Sequence, residues 1–71
     1  MGSGRIARLV RDRGFGFIRP DGQLDRDGDV FFHRSDCDPF TPFESLKEGD
    51  TMQFEMRESP KGMRATHVVR V

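Results

Sequence analysis

From Arg13 to Pro20 the chain reads RGFGFIRP, and from Val30 to Ser35 it reads VFFHRS. Phe15, Phe17, Phe31 and His33 place flat rings at alternate positions of these two stretches, with Arg13 and Arg34 beside them. Flat rings next to guanidinium groups share one chemistry: the rings stack on nucleobases and the arginines meet phosphates. Other chemistries fit less well. Ser35 and Asp36 follow His33 as the residue types of a hydrolytic relay, but strand neighbours point opposite ways and no oxyanion-hole motif is present. The run DRDGD at 25–29 hints at calcium, yet a loop starting at Asp25 has Val30 where glycine is required and Asp36 where glutamate is required, with no flanking helices. It reads as a solvated turn. His33, Cys37 and His67 do not show zinc-ligand spacing. No catalytic residue, metal or cofactor is expected.

The elements that must carry these rings are short strands. Gly and Pro recur every few residues, and the apolar runs are short and rich in Phe, Val and Ile. Strand one is placed over Arg5 to Val10, with a turn at Arg11 to Gly14, and strand two over Phe15 to Arg19. A polar loop from Pro20 leads to strand three, Asp29 to His33. A long connection with two prolines ends in a turn at Glu48-Gly49-Asp50. Strand four, TMQFEMR, alternates with Met52, Phe54 and Met56 on one face. SPKGM is a turn, and ATHVVRV is strand five. The fold class is all-β, a five-stranded antiparallel barrel, because closure is how a small all-β chain removes its edges.

Side chains alternate across a strand. Strand two alone does not decide whether Phe15 and Phe17, or Gly16 and Ile18, face the core. Strand three shifts the balance: Val30 and Phe32 make an ordinary core face, whereas Phe31 with His33 near arginines does not, since burying His33 would demand a partner or a shifted pKa. The rings of Phe15, Phe17, Phe31 and His33 are therefore expected on the outer face. A patch of this kind costs solubility unless it binds something. On this reading Gly14 and Gly16 keep bulk away from approaching bases. Phe40, with Pro39 and Pro42 nearby, either plugs the barrel end or extends the platform, and the plug is favoured.

The chain has 71 residues, enough for one small domain with a thin core, and MGSG carries no weight, with residues 1–3 read as a disordered start or a tag remnant. Net charge is zero, but it is sorted: +2 over residues 1–35, −4 over 36–50 and +2 over 51–71. This argues against a blanket nucleic-acid binder and allows a local basic patch. The lone Cys37 excludes an internal disulfide, and the N-terminus lacks a signal-peptide core; a reducing cytoplasm is expected. No apolar run is long enough for a membrane helix.

These residues resemble the cold-shock domain family. RGFGFI is similar to the family's first ribonucleoprotein motif, usually KGFGFI, and VFFHRS to its second, usually VFVHFS. FESLKEGD (Phe43 to Asp50) and SPKG (Ser59 to Gly62) resemble the segments before strands four and five. The resemblance spans nearly all of residues 4–71. It implies an OB-type Greek-key barrel binding single-stranded RNA and DNA on its strand two–three face, a monomeric RNA chaperone that melts or prevents RNA secondary structure. The matching platform is Phe15, Phe17, Phe31 and His33, with Arg13 for the usual lysine. Phe43 matches an aromatic presented from the long loop, and Lys61 a basic residue of the last turn. Arg8 stands where the family has a stacking tryptophan, and Arg34 where a further phenylalanine is common, so guanidinium planes take the place of two rings. The rival readings are a structural or protein-interaction barrel that kept the fold, and a module of a larger protein, since the chain stops inside the expected last strand.

Overall fold

The structure, a computed structural model, describes residues 2–22 and 28–71; the acidic residues 25 and 27 of the DRDGD run lie outside them. The short apolar runs form five strands: β1 (Gly2–Val10), β2 (Phe15–Pro20), β3 (Val30–His33), β4 (Thr51–Ser59) and β5 (Gly62–Arg70). They close into a barrel in the order β1-β2-β3-β5-β4, with β1 pairing back onto β4. Its extents of 26 × 25 × 24 Å are those of a rolled sheet, not an open one. Gly2 and Ser3 lie within β1, opposite Phe54 and Gln53, and so belong to the barrel wall.

One seam departs from the antiparallel expectation. β3 and β5 run parallel at Phe31 and Arg64, and a further parallel bridge joins Cys37 to Val68. The cause is parity. Each antiparallel step reverses direction, so a ring of five strands cannot close without a parallel neighbour pair.

The core is filled by the inward residues of every strand. Ile18, Val30 and Phe32 are 0–3% exposed, and Met52, Phe54, Ala65 and Val68 join them. Full burial of each large apolar side chain contributes about 1.5–3 kcal/mol. Two irregularities tune which residues point inward. On β1 the pairing steps from Ile6–Ile18 to Arg8–Phe17, so Ala7 is an extra residue on that strand. This bulge lets Ile6 face the core, turns Arg8 outward and brings Leu9 back against the core. On β5, His67 and Val68 stand where β4 supplies only Phe54, and His67 adopts φ of 50°. The Nδ1 of His67 lies 2.8 Å from Glu55 Oε2, across the same irregularity. In β4 the expected inward set holds for Met52 and Phe54. Met56 is 42% exposed, because β1 pairs with β4 only from Thr51 to Phe54.

The long connection reverses two expectations. Phe43 is 5% exposed and Phe40 is 94% exposed. Asp38 Oδ1 accepts the Phe40 N–H at 2.8 Å, and Asp38 O accepts the Thr41 N–H at 2.8 Å. That turn holds Phe40 at its outer corner. The 3₁₀ turn Phe43–Ser45 then rolls Phe43 inward, where its ring centroid lies 6.1 Å from that of Phe32. Phe43 is the plug and Phe40 is in solvent.

Candidate nucleic-acid interface

Antiparallel register assembles the platform. Phe15 lies opposite His33 and Phe17 opposite Phe31, while Gly16 faces Phe32 and Ile18 faces Val30 on the inner side. The outer four are part-exposed and the inner four buried. Phe15 and Phe31 have centroids 5.5 Å apart and are tilted by 39°; Phe17 meets Phe15 edge-on at 5.9 Å and Phe31 at 6.0 Å. Tilted and edge-on contacts are the favourable arrangements for packed phenyl rings, so the cluster packs stably while each ring stays part-exposed.

The glycines act differently from the expectation. A Cβ on Gly16 would lie 2.7 Å from the Arg8 carbonyl and 2.9 Å from the Phe32 ring. Gly16 therefore allows β1 and the core to close beneath the platform and does not face incoming bases. Gly14 has φ of 72°, and the Arg34 side chain lies across it, 3.1 Å from where a Cβ would stand. The Arg34 N–H donates to Gly14 O at 2.8 Å, which fixes the end of β3 against the β1–β2 turn.

The basic residues frame the rings. Arg8 is exposed and pairs with Phe17, and both line a shallow concavity with Ala7, Arg19 and Asp29. Lys61 lies in a second concavity beside Phe31, with Pro60, Met63 and Arg64. Arg13 is exposed on the turn leading into Phe15, and Arg34 is exposed after His33. Phe43, expected beside these residues, is in the core. Arg64 is the residue that strand-by-strand reading misses. Only the parallel β3–β5 seam brings it to the platform, with its guanidinium carbon 5.8 Å from the Phe31 ring centroid.

His33 is oriented by its own neighbours. Its Nδ1 accepts the Ser35 N–H at 3.1 Å and sits 2.9 Å from Ser35 Oγ, while Asp36 Oδ2 accepts the His33 N–H at 2.9 Å. This reciprocal cap starts the 3₁₀ turn Arg34–Asp36. An accepting Nδ1 places the proton of the neutral ring on Nε2. The His33, Ser35 and Asp36 side chains do not form a relay, because Asp36 bonds the histidine backbone and not its ring. Cys37 follows this turn; burial, then the charges of Asp36 and Glu44, push its thiol up to about 11, so it stays protonated at neutral pH. Among the described residues no three metal-ligating side chains come together, and no helix is long and apolar enough to cross a membrane.

Comparison with known proteins agrees with this geometry. The model of the 'Cold-shock' DNA-binding domain family matches residues 2–71. The "Cold shock protein" of Arthrobacter globiformis is 41% identical over 71 residues, covering 100% of both chains. The "Cold shock-like protein" of Thermotoga maritima is 38% identical over 65 residues, 92% of this chain and 91% of that one. The "Probable cold shock protein A" of Mycobacterium tuberculosis is 38% identical over 68 residues, 96% of each.

Proposed function

The chain belongs to the cold-shock DNA-binding domain family, and from that premise we propose that it binds single-stranded RNA and DNA by stacking bases on Phe15, Phe17, Phe31 and His33. The observation that carries the reading is the cluster of three phenyl rings on the outer face of β2 and β3, with centroids 5.5–6.0 Å apart. Bases in a duplex are already stacked on one another and cannot reach this surface; only unpaired strands can. Arg8, Arg13, Arg34 and Lys61 meet the phosphates around the rings. Base–aromatic stacking is worth about 1–3 kcal/mol per base, and part of that is lost in ordering a flexible strand.

The mechanism is mass action. A protein that binds only the unpaired state shifts the pairing equilibrium toward it by its differential affinity, without ATP. The chain thus serves as an RNA chaperone, as a monomer in the cytoplasm; the single unpaired Cys37 suits that reducing compartment. Titration with a fluorescent oligo-dT or oligo-U, and with the matching duplex, tests the reading. Single strands should bind with a Kd of about 1 μM or tighter, near −8 kcal/mol, and the duplex far more weakly. Absence of binding to any single strand would leave the barrel a structural or protein-interaction module.

A further inference from the structure

Arg64 is held beside the platform in a fixed pose. Its Nε and Nη2 donate to Asp36 Oδ2 at 3.1 and 2.9 Å. That same oxygen accepts the His33 N–H, which ties the arginine to β3 itself. The guanidinium carbon stands 5.8 Å from the Phe31 centroid. That is within cation–π range, so Arg64 is a direct neighbour of the ring on which a base would stack. A guanidinium carries five N–H donors in a planar fork. Asp36 takes the Nε hydrogen and one on Nη2; the outer Nη1 and Nη2 hydrogens have no acceptor among the described residues.

An immobilised fork beside a stacking ring is suited to a base edge. Guanine offers O6 and N7, an acceptor pair that an arginine fork matches with two hydrogen bonds. Adenine places an amino donor beside N7, and thymine and uracil offer no adjacent acceptor pair; an unpaired cytosine does, with O2 and N3 on its Watson–Crick edge, and the dC arm of the test separates it from guanine. A phosphate would accept the fork too, but phosphate contact needs no fixed pose, and exposed Lys61 and Arg8 supply it at either side of the rings. We propose that Arg64 recognises guanine at the base stacked on Phe31, giving this chain a preference for guanine at one position of its bound strand. The inference rests on the stacking reading given above.

The test titrates the full chain with a short fluorescent oligo-dT and with variants in which one thymidine, at each position in turn, becomes dG, dA or dC. At one position dG should tighten binding about fivefold or more over dT, while dA and dC should not. Arg64→Lys keeps the charge and removes the fork. It should abolish the dG gain and move oligo-dT affinity by less than that gain. A 7-deazaguanine at the preferred position, which lacks N7, should reduce the gain on the wild-type chain, an outcome independent of how any variant folds. A dG series no tighter than oligo-dT overturns the inference. So does an Arg64→Lys chain that keeps the dG gain, or one that weakens every sequence equally, which marks a contact that does not depend on the base. If no oligonucleotide binds the wild-type chain, the stacking reading fails first.

Discussion

Phe40 and Phe43 share a proline-flanked loop and end in opposite places, one 94% and the other 5% exposed. Composition could not separate them, since both are phenylalanines beside prolines. The discriminating signal was local. Asp38-Pro39 has the residue types of the first two positions of a β-turn, which puts Phe40 at the corner, away from the core. Phe43 has Leu46 three residues on, and both are buried around the 3₁₀ turn. Phe43→Ala should therefore lower the unfolding free energy by about 3–5 kcal/mol. That is a large share of the roughly 4–10 kcal/mol such a small domain has. Phe40→Ala should change it by no more than about 0.5 kcal/mol. Urea unfolding of both variants measures the contrast, and equal losses would contradict the placement.

Strands β2 and β3 were legible because each keeps an uninterrupted alternation: Ile18, Val30 and Phe32 are inward, and Phe15, Phe17, Phe31 and His33 outward. Period-two patterning is a local property, and there it was sufficient. It failed where an extra residue breaks the phase. Without the bulge at Ala7, Ile6 and Arg8 would share a face; with it, Arg8 joins Phe17 outside. The extra residue on β5, around His67, likewise lies outside any simple alternation. Register between distant strands was the other blind spot. Nothing near Arg64 in the sequence announces that it lies against Phe31. That contact follows from closing an odd number of strands, a property of the ring and not of either segment. The assignment of Gly16 to the ligand side missed for a related reason. Its constraint comes from the Arg8 carbonyl on the neighbouring strand and from Phe32 beneath it.

At the scale of the whole molecule the formal charge is zero, yet the acids and bases are partitioned. Several acids of the 36–50 segment are engaged: Asp36 with Arg64, Asp50 with Arg70, and Glu48 with the Leu9 N–H. Arg8, Arg13, Arg34 and Lys61 remain exposed around the rings, a local basic frame on a neutral body. Two of these arginines stand where the family usually has aromatics, so binding should be more salt-dependent than stacking alone would make it. The double variant Arg8→Trp, Arg34→Phe should flatten the slope of log affinity against log salt by about 0.7 for each phosphate it no longer neutralises. Equal slopes would show that neither arginine meets a phosphate. The central claim is that outward rings on β2 and β3 do the binding. Its most direct measurement is the oligo-dT affinity of Phe17→Ala, alongside its thermal unfolding. Binding about tenfold or more weaker, with the melting transition kept, is the predicted result; an affinity equal to that of the wild-type chain would contradict it.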